Sequence, residues 1–488
     1  MKKLPLAVSL LLISGSAMAA EATTPRGKAW WADIAALASD KTEGRLPGSR
    51  GYDLAAEHVV ARFKTLGLAP AGDAGGFAQP VAFEDQVIDH AASSGTLIAA
   101  DGTRAPVMMG DALLVSPGGA PRSPSVDAPL VFIGYGLKLP GYDDFAGMDL
   151  KGKIAVFISG GPADYPGPMK AANRSDRTKF LRDAGAVGVI ALVTPRQVEI
   201  PWDRRKLLAS QSGMYLADPA LRETPDGFFS ASVDPAQSEM LFSRSGHSFA
   251  EMAALADASK PVPGFDLGQR LQASVAATRK PVMSKNLVAR LEGSDPKLKG
   301  EIVIVSAHLD HLGVGKPIAG DPIYNGAMDD ASGVASVLDI AAQLHAGPRP
   351  KRSVVFLIVT AEEKGLLGST YYAQHPTVPK ASIVANLNFD MPLPLWPLKL
   401  VLVQGDGEST LGAVARNVAK AQGLALTPDP LPDRNSFTRT DQFSFVQAGI
   451  PALAFKFGFV KGTPEFDIEH DWRANRYHAP SDDLAQPG

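Results

Sequence analysis

After Pro281 the sequence alternates between apolar runs and helical stretches, and this regular pattern limits the fold more than any other feature of the chain. The apolar runs predict strands at 286–291, 302–307, 353–360, 382–389, 398–404 and 451–457. The stretches with helical spacing lie at 333–344, 366–374, 411–422 and 441–448. Strands that are apolar throughout and separated by helices are typical of a parallel sheet covered on both faces. The sequence therefore predicts an α/β fold with a mostly parallel central sheet and helices on both faces.

Imidazole and carboxylate side chains stand where these predicted strands end or where a predicted helix begins. Active sites in parallel α/β sheets lie beyond the carboxyl ends of the strands. A further imidazole, His478, lies near the end of the chain in the segment RYHAPSDDL. We therefore expect His478 to join the residues at the sheet edge, which are His308, Asp329, Glu362, Glu363 and Asp390.

Each of these residues also has a simpler explanation when it is considered alone. A carboxylate such as Asp329 favours the start of a helix whether or not it binds a metal, and the adjacent Glu362 and Glu363 could act in the same way. Asp390 could form a turn, and His478 could be an ordinary core histidine. Packing requirements rarely bring so many metal-compatible positions to one edge of a sheet, so their convergence favours a metal site.

Asp310 lies two residues after His308, on the same side of an extended segment. This spacing predicts a carboxylate behind a metal-binding imidazole, where it would fix the tautomer of the ring. The neighbouring His311 is interpreted as an orienting or surface residue rather than as a ligand. Because the chain contains no cysteine, imidazole and carboxylate groups would hold any metal, and zinc is the metal that such ligands favour.

Residues 1–19 have the features of a cleavable signal peptide. Lys2 and Lys3 precede a short apolar run, and Ala17 and Ala19 fit a signal-peptidase site. No run reaches the roughly 18 apolar residues that a transmembrane helix needs. We therefore expect an exported protein, in the periplasm or the outside medium, without a membrane span. The net charge of −3 at pH 7 gives no indication of nucleic-acid binding.

The first half of the chain has a different character. Residues 20–115 predict helices and then, from about Phe77, short strands interrupted by Gly, Asp and Pro. Between 116 and 266, Pro- and Gly-rich segments separate short β-branched runs, with one helix at 177–184 followed by a strand at 187–193. This pattern predicts a β-rich module inserted into another fold.

The predicted module contains an acidic cluster formed by Asp143, Asp144 and Asp149. Carboxylates at this spacing could bind calcium. They could equally form Asx turns in a solvated loop, because aspartate side chains accept hydrogen bonds from nearby backbone N–H groups.

Five motifs together resemble a known family, the co-catalytic zinc peptidases that include bacterial leucyl aminopeptidases and glutamate carboxypeptidase. The motifs are AHLD, GAMDDASGVA, TAEEKGLLGS, NFDM and YHAPSDD, in the order of the family. The runs LVFIGYGL, DDFAGMDLKGKIAVF and DAGAVGVIAL resemble a protease-associated domain. The resemblance implies a peptidase domain made of residues 20–115 and 267–488, with a protease-associated domain inserted at 116–266. Relatives usually continue into a final helix, so a truncated sequence is one interpretation of the resemblance.

The resemblance implies two zinc ions per chain, bridged by Asp329. One ion would be completed by His308 and Asp390, and the other by Glu363 and His478. Two such ions polarise a scissile carbonyl and lower the pKa of a shared water towards about 7, which generates hydroxide at neutral pH.

The resemblance also implies roles for residues that do not bind metal. Glu362 would be the general base and acid, and Tyr477 would help to stabilise the developing oxyanion. Asp310 and Asp482 match the positions that support the metal ligands from behind. At 439–442 the chain reads Arg-Thr-Asp-Gln where the family often has Ser-Asp-His, so contacts to the substrate are expected to differ.

The expected function is that of an exported aminopeptidase acting on peptides. A glutamate-carboxypeptidase-like enzyme is the nearest alternative, but it needs a basic patch, for which the sequence suggests only Lys456, Arg434 and Arg439. A glutaminyl-cyclase-like activity is disfavoured because those relatives use a single zinc. A receptor-like binding protein without catalysis is the alternative from another class of function.

Overall fold

The computed structural model describes residues 24–116, 125–222, 227–434 and 436–486, so the predicted signal peptide lies outside the described residues. The helices in these ranges are α1 Pro25–Leu37, α2 Arg50–Thr65, α3 Gly167–Ser175, α4 Arg177–Asp183, α5 Trp202–Ala209, α6 Glu239–Phe242, α7 Phe249–Asp257, α8 Ser332–Ala346, α9 Leu367–Gln374, α10 Leu411–Ala421, α11 Gln442–Gln447 and α12 Pro464–Asn475. The strands are β1 Ala69–Pro70, β2 Ala78–Ala99, β3 Arg104–Val107, β4 Leu113–Val115, β5 Ser125–Ile133, β6 Lys138–Leu139, β7 Tyr142–Asp143, β8 Ile154–Ile158, β9 Gly188–Leu192, β10 Gly213–Leu216, β11 Phe229–Val233, β12 Gly264–Leu291, β13 Ile302–His308, β14 Gly313–Ile318, β15 Asp321–Tyr324, β16 Ser353–Val359, β17 Ile383–Asn388, β18 Leu400–Gln404, β19 Ala425–Thr427 and β20 Ala452–Phe457.

The carboxyl-terminal half of the chain builds a sheet with the strand order β19-β18-β20-β17-β13-β16-β12. The central strand β13 is parallel to both of its neighbours, β16 and β17, and β20 is parallel to β17. Antiparallel pairing is found where β12 meets β16 and where β18 meets β20. The predicted α/β fold with a mostly parallel sheet is thus confirmed. Its parallel strands end at a common edge.

Helices cover both faces of this sheet, as the continuous apolar runs indicate. Along β16, Phe356 and Ile358 pack with α1, α2 and α8, whereas Val355 and Leu357 pack with α9 and α11 on the opposite face. Successive residues of a strand point to opposite faces, so a strand that is buried on both sides must be apolar at every position. Tyr52 and Phe445, both fully buried, are among the side chains that the helices contribute.

The prediction of short strands between Phe77 and Val115 is wrong for residues 78–99, which form the single strand β2 of 22 residues. β2 pairs antiparallel with the 28-residue strand β12, from Ala78 opposite Leu287 to Ala99 opposite Gln269. The Gly, Asp and Pro residues of β2 read as strand breakers in isolation. Pairing with β12 along nearly the whole of β2 outweighs these local preferences, because packing and pairing context decide strand formation more than the intrinsic preference of single residues.

The β-rich part continues the same sheet through the order β12-β5-β8-β9-β11-β4. The predicted helix and strand in this part are observed as α4 and β9. Because β12 pairs with β16 at one end and with β5 at the other, the proposed boundaries at 116 and 266 fall within one continuous sheet.

The acidic cluster of the β-rich part forms Asx turns. Asp143 and Asp149 each accept a hydrogen bond of 3.1 Å from the backbone N–H two residues further on. Within the described residues, the groups of side chains that could hold a metal ion lie elsewhere. The structure therefore agrees with the loop interpretation and gives calcium no support.

The β-rich part contacts segments that lie near the carboxyl edge of the parallel strands. Its helix α3 packs against the short turns Pro432–Arg434 and Ser436–Thr438. From α5, Arg204 donates a hydrogen bond of 2.8 Å to the backbone oxygen of Ala474 at the end of α12. No helix among the described residues has both the length and the apolar character needed to cross a membrane.

Candidate metal centre

Segments from distant parts of the chain meet at the carboxyl edge of the sheet. β13 ends at His308, β16 leads into the turn that carries Glu362 and Glu363, and β17 is followed by Asp390. The turn Ala327–Ala331 precedes α8, and a further segment follows α12. The side chains that these segments bring together are His308, Asp329, Glu362, Glu363, Asp390 and His478.

The backbone turns sharply beside several of these residues. Ala361, Met391 and His478 have φ angles of 55°, 49° and 55°, in a left-handed region that residues other than glycine rarely adopt. Such conformations persist only where surrounding contacts enforce them, and they concentrate at functional sites. Here they occur where the chain leaves the sheet edge or, at His478, where α12 has ended.

One ligand group consists of His308, Asp329 and Asp390, which present one ligand atom each, all within 4.8 Å of one another. The imidazole Nε2 of His308 lies 3.2 Å from Oδ1 of Asp329. All three residues are buried. Their imidazole and carboxylate atoms point at a common space, as a metal ion requires.

A second group forms around Glu363. Its Oε2 lies 3.0 Å from Nε2 of His478, which is also 3.3 Å from Oδ2 of Asp329. Its Oε1 lies 2.6 Å from Nδ1 of His311. The two oxygens of Asp329 therefore face different groups, which is the arrangement that a bridging carboxylate needs.

His311 is fully buried, so its interpretation as a surface residue is wrong. It forms a metal-compatible group with Asp329 and Glu363, and its ring meets that of His478 edge to face, with centroids 5.8 Å apart. The signal in the sequence is the second histidine of the motif HLDH. A lone histidine beside an aspartate is more often an orienting or surface residue than a ligand, so this signal alone does not predict a metal contact.

The residues present fit the metal that the resemblance implies. Several buried atoms make no hydrogen bond of acceptable geometry within the described part of the chain: Nε2 of His308, both ring nitrogens of His311 and Oε1 of Glu363. Nδ1 of His311 and Oε1 of Glu363 face each other at 2.6 Å, but they are not aligned for a hydrogen bond. Buried polar atoms are nearly always satisfied in native proteins, and exceptions need an explanation. Imidazole nitrogens and carboxylate oxygens are the ligands that zinc prefers when cysteine is absent, so bound zinc would account for these atoms.

Asp310 supports the site, but by contacts other than those expected. Its two carboxylate oxygens accept hydrogen bonds of 3.0 and 3.2 Å from the backbone N–H groups of Glu362 and Glu363. Nδ1 of His308 lies 3.1 Å from the backbone oxygen of Asp310 but 4.0 Å from its carboxylate. The chain turns after β13 ends, so the carbonyl group meets the imidazole while the carboxylate holds the neighbouring strand end.

Two further aspartates hold the backbone around Asp329. Asp482 accepts hydrogen bonds of 3.0 Å from the N–H groups of both Met328 and Asp329. Asp330, which the sequence analysis did not single out, accepts bonds of 3.0 Å from Gly333 and Met391. These contacts connect the turn before α8 to the segments after β17 and after α12.

The adjacent residues Glu362 and Glu363 have opposite electrostatic environments. Burial raises the pKa of Glu362 well above its ordinary value; the charge of His308 offsets part of this rise, and Asp390 adds to it. Burial would also raise the pKa of Glu363, but His478 and His311 outweigh it and hold that pKa well below its usual range. A pair of carboxyl groups whose pKa values are driven apart is typical of groups with different chemical roles.

Two cavities open onto these residues. One of about 480 Å³ is lined by Glu362, Tyr477 and His478, and also by Arg174 and Ser175 from α3. A smaller one of about 40 Å³ lies between the candidate ligands and the basic residues Arg434, Arg439, Lys456 and Arg473. The β-rich part therefore contributes to the walls around the site.

A parallel α/β sheet that gathers imidazole and carboxylate ligands at its carboxyl edge is typical of metal-dependent hydrolases. The family comparison is more specific, because residues 286–487 match the model of Peptidase family M28. The matched range contains every candidate ligand.

The chain is also similar to individual proteins. A vacuolar membrane protease of Lachancea thermotolerans is 30% identical over 169 residues, which are 34% of this chain and 16% of that protein. Aminopeptidase YwaD of Bacillus subtilis is 31% identical over 192 residues, 38% of this chain and 36% of that protein. The chain thus spans at most 36% of the length of these two relatives. The structure of an aminopeptidase from Aneurinibacillus sp. strain AM-1 is also similar. The match covers 94% of this chain and 88% of that aminopeptidase, with a TM-score of 0.52 and 20% identity, and it shows a common fold.

Proposed function

We propose that this chain is an exported zinc-dependent exopeptidase that removes N-terminal residues from peptides. The observation that carries the proposal is the convergence of two ligand groups on Asp329, with buried nitrogen and oxygen atoms that make no hydrogen bond of acceptable geometry in the described ranges. The family of residues 286–487 and the similarity to aminopeptidase YwaD support the same activity.

The proposed site would hold two zinc ions. His308, Asp329 and Asp390 would hold one, and Asp329, Glu363 and His478 would hold the other. When bound, the ions supply Lewis acidity, which polarises the scissile carbonyl group and makes a water molecule more acidic.

Glu362 is the proposed general base and acid. It takes a proton from the attacking water and returns it to the leaving amine of the peptide. A general base works best when its pKa lies near the working pH, and the burial that raises the pKa of Glu362 acts in that direction. Asp310 holds the backbone of Glu362 and so sets where its carboxylate lies.

Tyr477 is the proposed donor to the carbonyl oxygen as negative charge develops there. Its ring stacks on that of His478, with centroids 3.9 Å apart. Burial raises the pKa of the Tyr477 phenol, so the hydroxyl keeps the proton that it needs to donate a hydrogen bond.

Export and domain organisation complete the proposal. Residues 1–19 are proposed as a signal peptide, on the pattern of their sequence, with the periplasm or the outside medium as the destination. Residues 116–266 are proposed as an inserted protease-associated domain. Residues 20–115 and 267–488 are proposed as the peptidase domain.

A glutamate-carboxypeptidase-like activity is the second candidate, favoured by the basic residues that line the smaller cavity. A glutaminyl-cyclase-like activity is disfavoured because there are ligands for two ions. A receptor-like binding protein needs neither a full ligand set nor a catalytic carboxylate. The two metal-compatible groups and the largely buried Glu362 therefore support the enzyme rather than the receptor.

The experiment that tests the proposal combines metal analysis with hydrolysis of a free-amine leucyl anilide, its N-acetylated counterpart and a peptide ending in glutamate. We expect about two zinc ions per chain and cleavage that requires the free amine. Glu362→Gln should keep the metal but lose about 10²- to 10⁴-fold in kcat, whereas Glu57→Gln, at an exposed position on α2, should change neither. Full turnover by Glu362→Gln would refute the mechanism.

A further inference from the structure

One part of the smaller cavity at the metal centre is formed by basic side chains. The cavity is lined by Glu362 and most of the candidate ligands and, in addition, by four cationic side chains that form its basic wall, Arg434, Arg439, Lys456 and Arg473. Their positions are far apart in the sequence, on β20, on α12 and in the loop before α11. The fold therefore collects positive charge at the place where a substrate would meet the metal ligands.

Among the described residues, ion pairs of the three guanidinium groups run to two carboxylates, Glu469 and Glu199. Oε1 of Glu469 accepts hydrogen bonds of 2.6 Å from both Arg434 and Arg473. The two oxygens of Glu199 lie 3.5 Å from Nε of Arg434 and 3.4 Å from Nη1 of Arg439. Two carboxylates thus face three guanidinium groups, and Lys456 adds a further positive charge.

Lys456 is the most exceptional of the four. Its side chain is only 11% exposed, and Nζ lies 3.7 Å from Oδ1 of Asp390, too far for a hydrogen bond. An ammonium group withdrawn from water is costly unless an anion compensates it. Asp390 compensates it only in part, because the proposed function gives that carboxylate to a metal ion.

We propose that this cavity binds a carboxylate group of the substrate through Lys456 and Arg439, so that the enzyme prefers substrates with a negative charge next to the scissile bond. This inference rests on the proposed function. A leucyl side chain in this cavity would exclude water from the cations without supplying an anion to compensate them.

Two sources of this carboxylate are compatible with the chemistry. One is the side chain of an N-terminal glutamate or aspartate. The other is the C-terminal carboxylate of a short peptide. The two sources predict that Lys456 affects different substrates. Pairs of substrates that differ only in the charge of the side chain, or only in the charge of the C-terminus, therefore distinguish the two sources.

The experiment measures kcat/KM for glutamyl and glutaminyl anilides and for the dipeptide Ala-Ala and its C-terminal amide. The zinc-loaded protein should prefer the charged member of one pair by about tenfold to a hundredfold, the usual worth of a charged hydrogen bond. Lys456→Met should bring that ratio close to one while the zinc content stays at the wild-type value. Lys461→Met, at an exposed position shortly after Lys456 in the sequence, should leave the ratio unchanged.

A binding measurement separates this inference from the proposed function. Calorimetric titration of zinc-loaded Glu362→Gln with glutamate, glutamine, Ala-Ala and Ala-Ala amide requires no turnover. Tighter binding of a charged ligand that is lost in the double variant with Lys456→Met would uphold the carboxylate site even if the protein hydrolysed none of the anilides. Equal binding and equal kcat/KM within both pairs would overturn it.

Discussion

The carboxylate of Asp482 accepts a hydrogen bond of 3.0 Å from the backbone N–H of Asp329, although the two residues are 153 positions apart. Its other oxygen accepts an equal bond from Met328. The end of the described chain therefore holds the turn that carries the proposed bridging carboxylate. The metal centre depends on contacts that no single motif contains.

Asp482→Asn should weaken this support. An amide in place of the carboxylate would present one N–H₂ group to a backbone N–H, so at least one charged hydrogen bond, worth about 1.5–3 kcal/mol, would be lost. We expect a lower free energy of unfolding in urea and weaker retention of zinc during dialysis against a chelator. Asp483→Asn, at the next position, is the matched control. Unchanged zinc retention in Asp482→Asn would contradict the role of this contact.

His311 and His478 both contact Glu363, and metal titration can decide which of them binds the second ion. His478→Ala should lower the zinc content from about two ions per chain to about one. If His311 is also a ligand, His311→Ala should weaken binding of the same ion and change the visible spectrum of the cobalt-substituted protein. His345→Ala, at an exposed position on α8, is the control. Wild-type zinc affinity in His478→Ala would rule out its assignment.

Glu199 is predicted to position the basic wall from the β-rich part. Its two oxygens face Arg434 and Arg439. Glu199→Gln should therefore release Arg439 without touching a metal ligand, whereas Arg434 keeps its hydrogen bond to Glu469. We expect KM for the charged substrates to rise by about three- to tenfold, the usual worth of one partly exposed ion pair, with kcat nearly unchanged. A fall in kcat with constant KM would instead indicate a role in the chemical step.

Asp144 should make the stability of the β-rich part depend on pH. Burial raises the pKa of Asp144 to about 6 from an ordinary value of 3.8, although hydrogen bonds from Tyr142 and Leu137 act against this. The folded protein therefore binds more protons than the unfolded chain between about pH 4 and pH 6. The resulting stabilisation is complete below about pH 4 and is lost as the pH rises through 6.

Asp144→Asn should remove this dependence. The slope of unfolding free energy against pH should become less negative in that window, by at most about 1.4 kcal/mol per pH unit for one proton. Urea denaturation with chelator present avoids a contribution from the metal centre. Asp149→Asn, at an exposed position of the same cluster, should leave the slope unchanged, and an equal effect of both variants would exclude the assignment to Asp144.

The mostly parallel sheet of the carboxyl-terminal half and the positions of the candidate ligands could be predicted from the sequence. β16 is apolar at every position except Ser353, and β13 and β17 are mostly apolar, because both faces of these strands are buried. Parallel strands end at one edge, so His308, Glu363 and Asp390 could be expected to meet. These are local patterns combined with one general rule of topology.

The long strand pair and the basic wall could not be predicted in this way. Pairing between β2 and β12 depends on contacts between residues nearly two hundred positions apart, which the breakers within β2 conceal. Lys456, Arg434 and Arg439 were visible in the sequence as a possible basic patch, but nothing local records that Arg473 joins them or that all four line one cavity.

The sequence by itself determined which side chains this protein offers to a metal and on which strands they stand. The tertiary structure decided what surrounds them: that Asp310 binds backbone rather than imidazole, that His311 is buried, and that Asp482 holds the turn of Asp329. The physical reason is the sequence separation over which each signal extends. Hydrophobic periodicity is a pattern among neighbouring residues in the chain, whereas hydrogen bonds and charge interactions depend on distances that exist only after distant segments have packed.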